Sequence, residues 1–324
     1  MTKRALVTGG AGFIGSHVAE LYLERGYDVT IVDNMASGKR PNVPAQATFH
    51  ELDVGSPDAA RLVREGGFDV VSHLAAQIDV RKSVADPMFD ATVNVVGTLN
   101  LLEAVRASGR PTRFIFSSTG GAIYGDFVTP PNDEEFPKDP ESPYGIAKLS
   151  AEYYMAFYGR IHGLDVVSLR YANVYGPRQD PHGEAGVVAI FCNRLLDGRP
   201  LTVFGEGKQT RDYVYVKDVA RANLAAAEAT LPPVARLDVR AFNVGTGVET
   251  DVNTLAGVLT RVSGATSALE YAPVRPGEQL RSAVRIDKAA RVLGWRPEVG
   301  LERGLTETFK FFAAARPPRA AQPA

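Results

Sequence analysis

One cysteine in 324 residues has nothing to pair with inside the chain, so a disulfide-stapled fold is excluded. That residue, Cys192, follows Ala189-Ile190-Phe191 on an apolar helical stretch and reads as a small buried side chain. No base partner for a catalytic thiol is visible. The five histidines are scattered without ligand spacing, so no metal site is expected. Apolar runs fall short of the ~18 residues that a membrane span requires. An excess of charge is also missing. Lys and Arg number 36 against 37 Asp and Glu, which removes any general pull toward nucleic acid. The opening residues pattern as strand, glycine turn and helix rather than as a secretory leader. A soluble cytoplasmic protein is expected, with an ordinary 45% hydrophobic content and enough length for two lobes.

Glycine, by contrast, is concentrated near the start. Arg4 to Thr8 read as a short aliphatic strand, and Thr8-Gly9-Gly10-Ala11-Gly12-Phe13-Ile14-Gly15 follows at once. Gly9, Gly12 and Gly15 recur at every third residue, and 13–25 then shows helical periodicity. Glycine is required where backbone closes on a pyrophosphate and where the helix packs on the strand. The helix start then offers free amides to the anion. Residues 29–32 read as the next parallel strand, and Asp33 ends it, 18 residues beyond Gly15. An acid about 20 residues on accepts the ribose hydroxyls and repels a 2′-phosphate, so NAD is the expected cofactor. Lys39 and Arg40 are read as solvated loop charges rather than as partners of that phosphate.

Short strands at 47–50, 69–72, 114–117 and 166–169 alternate with helices at 57–65, 87–107 and 143–161. This order predicts an α/β fold, a Rossmann-type doubly wound parallel sheet with ligands at the carboxyl ends of its strands. Residues 1–175 are assigned to it. Past Tyr171, Pro177, Pro181, Gly183 and Gly186 crowd together and mark a smaller interleaved C-terminal substrate lobe, 176–207 and 244–315. Between these, 208–243 is expected to return to the main sheet through a strand at 212–216 and a helix from Asp218. The Ala/Pro/Arg-rich end, 316–324, is read as a flexible tail.

Ser142-Pro143-Tyr144-Gly145-Ile146-Ala147-Lys148 reads as a helix start with Ser142 as N-cap and Pro143 in the first turn. Tyr144 and Lys148 then share one face. A free phenol of pKa near 10 is only ~0.1% ionised at neutral pH, and bringing its pKa to neutrality takes about 4 kcal/mol. An ammonium and the positive ring of an oxidised nicotinamide carry charge of the right sign, which gives the pair a proton-transfer role. Ser117, Ser118 and Thr119 offer three hydroxyls at the carboxyl edge of a strand. One completes the site while others satisfy loop amides.

Further landmarks follow in order: Asp33-Asn34, Asp53-Val54, His73-Leu74-Ala75-Ala76, Asn94, Tyr124-Gly125, Leu169-Arg170-Tyr171-Ala172-Asn173, Arg211-Asp212-Tyr213, Arg275-Pro276-Gly277-Glu278 and Leu293-Gly294-Trp295. With them the chain resembles, over nearly its whole length, the extended short-chain dehydrogenase/reductases. The resemblance is greatest to nucleotide-sugar 4-epimerases of the UDP-glucose (UDP-galactose) 4-epimerase type. It implies inversion at C4 of a UDP-hexose, by transient oxidation to a 4-keto sugar and re-reduction from the opposite face.

The resemblance also implies roles. Gly9, Gly12, Phe13, Ile14 and Gly15 would hold the pyrophosphate, and Asp33, Asn34, Ser37 and Gly38 the adenosine ribose. Asp53 and Val54 would border adenine, while Leu74, Ala75, Ala76, Asn94 and Ser117 line the cofactor cleft. Tyr144 would be the base, Lys148 would bind the nicotinamide ribose and lower the phenol's pKa, and Tyr171 would pack near the nicotinamide. Asn173, Val187, Val188, Thr202, Val203, Phe204, Arg211 and Arg275 would hold UDP, with the arginines on its diphosphate. Glu278 and Ser282 are also placed on the substrate side, with Tyr144 and Thr119 at the sugar.

Two departures shape the expectation. Many members carry the catalytic hydroxyl four residues before the tyrosine of the Tyr124-Gly125 pair, a position held here by Gly120. The assignment moves to Thr119, with Ser118 in reserve. Related dehydratases follow that hydroxyl with an acid, whereas Gly120-Gly121-Ala122 supplies none, which disfavours elimination of water. Ser282 falls where the family tunes pocket size, and its small side chain is expected to admit N-acetylated sugars. The alternatives are another nucleotide-sugar enzyme, such as a UDP-glucuronate decarboxylase, or a non-catalytic NAD-binding regulator. The helices at 87–107 and 143–161 are apolar on more than one face. In the family such a pair builds a helical bundle between subunits, so a homodimer is expected.

Overall fold

Ala5, Leu6 and Val7 are all fully buried, so successive residues of β1 (Arg4–Thr8) meet cover on both faces, as a central parallel strand requires. The computed structural model describes residues 2–181, 186–274 and 279–316. After β1 come α1 (Phe13–Glu24), β2 (Asp28–Asp33), β3 (Thr48–Glu51), α2 (Pro57–Glu65) and β4 (Val70–His73). Then follow α3 (Val80–Ala85), α4 (Pro87–Ala91), α5 (Gly97–Ser108), β5 (Arg113–Thr119), α6 (Pro143–His162) and β6 (Asp165–Tyr171). The rest of the chain runs through β7 (Asn173–Tyr175), α7 (Val187–Asp197), β8 (Leu201–Phe204), β9 (Thr210–Tyr215), α8 (Val216–Glu228) and β10 (Ala241–Val244). It ends with β11 (Glu249–Asp251), α9 (Val252–Ser263), β12 (Leu269–Ala272), β13 (Arg281–Ser282), α10 (Asp287–Val292) and α11 (Leu301–Ala314).

The main sheet has seven strands in the order β3-β2-β1-β4-β5-β6-β10, all parallel. The chain reverses direction across the sheet between β1 and β4, and the crevice at their carboxyl ends is where such sheets take a ligand. One core cluster, with Val18, Tyr22, Val219 and Leu224, joins α1 and α8 to the sheet. Another, with Leu101, Val105 and Met155, joins α5 and α6 to it. Each fully buried leucine of this kind contributes about 1.5–3 kcal/mol.

The expected return of a strand at 212–216 to the main sheet does not occur. β9 pairs instead with β7, β11 and β13 in a separate four-stranded sheet, and the seventh main-sheet strand is β10. Side chains explain the difference. Asp212 points inward and accepts from the Thr246 amide (2.8 Å), the Thr246 hydroxyl (2.6 Å) and the Gly247 amide (3.0 Å), which fixes the turn after β10. Tyr213 and Tyr215 pack with Tyr175 in the core of the smaller lobe. The helix that follows, α8, does return, and it lies along α1.

The single helix expected at 87–107 is interrupted. Between α4 and α5 lies a π turn, Thr92–Val96, which carries Asn94 inward. Cys192 is fully buried, and burial pushes its thiol up to about 12. Among the described residues no helix is long and apolar enough to cross a membrane, and no group of His, Cys, Asp and Glu could hold a metal ion. Of the expected tail, 317–324 lie outside the described residues.

Candidate active site

The glycine turn is held by close backbone packing. Gly9 adopts φ +69°, and a Cβ there would stand 2.8 Å from the Ala75 nitrogen. A Cβ at Gly15 would stand 2.2 Å from the Gly9 carbonyl oxygen, so the helix lies directly on the turn. Gly12 caps α1 without a side-chain acceptor, which leaves the first amides, through Phe13, Ile14 and beyond, able to bind an anion. Asp33 at the end of β2 accepts from the amides of Ala11 (3.0 Å) and Met35 (2.9 Å). Gly38 lies so near that a Cβ would stand 2.7 Å from Asp33 Oδ1, while Ser37 is exposed beside it. Asn34 Nδ2 donates to Asp53 Oδ2 at 2.9 Å, joining the ends of β2 and β3 above buried Val54. The Arg40 guanidinium lies 4.1 Å from the centre of the Phe49 ring and is engaged there. An uncapped helix start, an acid at the next strand end and an Arg40 already occupied by an aromatic ring form a set that fits NAD.

The loop leaving β4 is fixed from beneath. Thr8 Oγ1 accepts from the amides of Leu74 (3.2 Å) and Ala75 (3.1 Å), next to Ala76 in the cleft. His73 contacts Thr8 Oγ1 through Nδ1 (2.7 Å) and Thr98 Oγ1 through Nε2 (3.1 Å). Burial, reinforced by the Lys148 charge, holds that imidazole down to about 3. Asn94 bonds the Gln77 backbone at both ends, taking its amide hydrogen at 3.0 Å and donating to its carbonyl at 2.9 Å. Its side chain therefore shapes the cleft by holding this loop.

α6 begins as its sequence reads. Ser142 Oγ accepts from the Gly145 amide at 3.1 Å, and the Tyr144 amide donates to Ser83 Oγ on α3 at 3.2 Å. Lys148 Nζ donates to the Ser117 carbonyl at 2.9 Å and lies 4.7 Å from the Phe116 ring centre and 6.0 Å from that of Tyr144. Burial pushes this amine down to about 8, against the raising effect of Asp90 and Glu152. The Thr119 side chain is near enough to the Tyr144 phenol to act on it. Burial raises its pKa, Asp90 adds to the rise, and Thr119 opposes it. The expectation that Lys148 and the nicotinamide ring together lower this pKa concerns the site with NAD bound.

Thr119 and Ser118 separate by strand alternation. Ser118 is buried on the opposite face and donates to Glu152 Oε1 at 2.5 Å, which removes it as a reserve hydroxyl. Thr119 faces the cleft. A Cβ built on Gly121 would stand 3.9 Å from Thr119 Oγ1, 3.7 Å from Asn173 Oδ1 and 3.9 Å from Ser282 Oγ. Polar atoms from β5, β7 and β13 therefore surround one point. Tyr171 is buried below, its hydroxyl accepting from Asn223 Nδ2 at 2.8 Å.

In the smaller lobe the expected residues divide. Val187, Phe204 and Arg211 are half-buried, and Arg211 Nη1 donates to the Thr210 carbonyl at 2.8 Å. Val188 and Val203 turn into the lobe's core at 1% and 0% exposure, so their side chains are not available to a ligand. Thr202 Oγ1 accepts from Arg194 Nη1 at 2.6 Å. Arg275 and Glu278 lie outside the described residues. Sequence reading overlooked Ser83, Gln77, Asp90, Glu152 and the side chain of Arg170. Two of these carry a signal, since Glu152 is one turn beyond Lys148 and Arg170 is the one basic residue of β6, set among buried neighbours.

Residues 5–245 match the model of the NAD dependent epimerase/dehydratase family. The chain belongs to that family. A relative of this epimerase/dehydratase chain, the UDP-glucose 4-epimerase of Mycolicibacterium smegmatis, is 43% identical over 95% of this chain and 98% of its own. A crystal structure of UDP-glucose 4-epimerase with UDP-glucose from Thermotoga maritima superposes with TM-score 0.89 at 47% identity, covering 96% of this chain and 99% of that one. The Thermus thermophilus UDP-glucose 4-epimerase complex with NAD gives TM-score 0.89 at 44% identity, covering 97% and 100%.

Proposed function

We propose that this family member is an NAD-dependent isomerase that inverts C4 of UDP-hexoses, interconverting UDP-glucose and UDP-galactose through a 4-keto sugar. The convergence of Tyr144, Thr119 and Lys148 at the same carboxyl edge of the sheet as the glycine turn carries the reading. Tyr144 takes the proton of the sugar 4-hydroxyl, and Thr119, beside that phenol, holds the 4-oxygen. Lys148, anchored on the Ser117 carbonyl, keeps positive charge next to the phenol. Gly9, Gly12 and Gly15, with Asp33 at the ribose, would hold NAD, which would supply the hydride acceptor and a positive charge. Asp53 and Val54 are assigned to the adenine side, and Leu74, Ala75, Ala76 and Tyr171 to the cleft wall.

Asn173 and Ser282 are assigned to the sugar, and Val187, Thr202, Phe204, Arg211, Arg275 and Glu278 to the rest of the UDP-sugar. With Gly120 and Gly121 beside Thr119, no acid is present there to eliminate water. The space at Gly121 and the small Ser282 support acceptance of N-acetylated sugars. Exposed Val84, Met88, Phe89 and Val96 on α3–α5, with Ile146, Tyr153, Tyr154, Phe157 and Ile161 on α6, support a homodimer through these helices. We take the enzyme to work in the cytoplasm, where NAD and nucleotide sugars are at hand.

Purified protein incubated with UDP-galactose, with products resolved by chromatography, tests the reading. UDP-glucose should form, and Tyr144→Phe should abolish it. A pentose product or no inversion would overturn it.

A further inference from the structure

The reaction as described leaves one buried charge beside the site without a task, the carboxylate of Asp90 on α4, which is 1% exposed. Its Oδ1 accepts from Gln77 Nε2 (2.9 Å) and Asn94 Nδ2 (3.0 Å). Its Oδ2 is buried with no hydrogen-bond partner among the described residues. Both holders are neutral amides and are themselves fixed. Gln77 Oε1 takes the Asp79 amide hydrogen at 2.7 Å, and Asn94 is clamped to the Gln77 backbone. The cluster immobilises the carboxylate without cancelling its charge, and a buried charge without a counter-ion is costly.

The groups around Lys148 show where that charge is felt. β5 presents the Ser117 carbonyl and the Phe116 ring, β4 presents His73, and α6 presents Tyr144 and, one turn on, Glu152. Glu152 is already neutralised, since both its oxygens take hydrogen bonds from Arg170, at 2.6 Å and 3.0 Å, and Ser118 donates to it as well. Among the described residues Asp90 has no such arginine. The helix that bears it, α4, packs directly on α6, which carries Tyr144 and Lys148, so its field reaches both of those groups.

We infer that Asp90, fixed by Gln77 and Asn94, is the counter-charge of Lys148 and a positioning residue that sets the pH window in which the Tyr144–Lys148 pair transfers a proton. The π turn serves this arrangement by carrying Asn94 inward, one turn beyond Asp90. The inference rests on the epimerase reading for the identity of the proton transferred.

Asp90→Asn is the discriminating change, because the amide oxygen can still accept from both holders while the charge is gone. Loss of a negative charge favours the deprotonated form of both partners. Both limbs of the pH profile of kcat/KM should therefore move to lower pH, by about one unit. A purely structural role would lower the rate at every pH and leave the limbs in place, which would overturn the inference. A second readout needs no turnover. The near-ultraviolet phenolate absorbance of Asp90→Asn, less that of the same variant with Tyr144→Phe, reports Tyr144 alone and should also shift to lower pH against the wild-type pair. Should Asp90→Asn fail to fold, Asp90→Ser carries the same prediction. Wild-type protein that inverts no sugar would sink the epimerase reading, and the phenolate titration would still decide the role of Asp90.

Discussion

Arg170 of β6 and Glu152 of α6 meet in a fork of hydrogen bonds, Nη2 to Oε2 at 2.6 Å and Nε to Oε1 at 3.0 Å, with neither side chain more than 1% exposed. Arg170 also donates to the Glu134 carbonyl (2.9 Å), the Tyr124 hydroxyl (3.1 Å) and Asp238 (2.7 Å). The helix bearing Tyr144 and Lys148 is thereby clamped to the strand next to Thr119. Arg170→Met strands Glu152 and should cost about 3–5 kcal/mol in denaturant unfolding, much of it recovered in Arg170→Met/Glu152→Met.

Thr119 and its neighbour should separate cleanly. Thr119→Ala removes the hydroxyl that faces the cleft beside Tyr144 and should lower kcat by about a hundredfold with little change in stability. Ser118→Ala removes a buried bond to Glu152 and should lower stability by about 1 kcal/mol while kcat stays near wild type. Steady-state rates and melting curves of the two variants check both halves.

Stability should fall on the acid side through two histidines. Burial holds His73 down to about 3 and His17 down to about 4, both from an ordinary 6.5. The folded state keeps them neutral and the unfolded state binds the protons. Their contribution is therefore complete above pH 6.5 and is lost as pH falls toward those values. Each pH unit in that window should remove about 1.4 kcal/mol per histidine. Unfolding measured from pH 7 to 4 should show a slope that flattens in His73→Gln.

Ser282→Tyr should discriminate by substrate size. Ser282 Oγ, Thr119 Oγ1 and Asn173 Oδ1 ring the space above Gly121, and a phenol ring placed there would occupy it. Turnover of UDP-GlcNAc should fall at least tenfold more than turnover of UDP-glucose. Equal losses on both sugars would remove the assignment of this space.

The apolar helix face should govern assembly. Met88 is 81% exposed and Tyr153 is 56% exposed. Met88→Asp with Tyr153→Glu should convert a dimer into a monomer in light scattering at micromolar concentration, with melting behaviour showing each chain still folded.

Much of this was legible because local chemistry agreed with the fold. The glycine triplet, Asp33 at the end of its strand and the Ser142 cap each state a backbone requirement within a few residues, and each lies where the sequence placed it. β10 was missed because it has four residues, one of them Asn243, and its pairing with β6 is a contact distant in sequence. Ser118 and Thr119 could not be told apart until strand facing was known, since one residue of register exchanges their roles. The burial of Tyr144 was hidden from the sequence for a related reason. Pairing with Lys148 is readable from spacing, whereas desolvation depends on everything packed above it.

The interleaving of the lobes constrains how this enzyme can be dissected. The polypeptide leaves the main sheet after β6, comes back with α8 and β10, departs again into β11, and touches β10 once more through α10. A gene fragment ending near residue 175 would lack its outermost strand and the helix that lies on α1, so it should emerge insoluble. Recombining substrate preferences between cousins would likewise demand exchanging several separated segments at once, and a single crossover would leave mismatched seams.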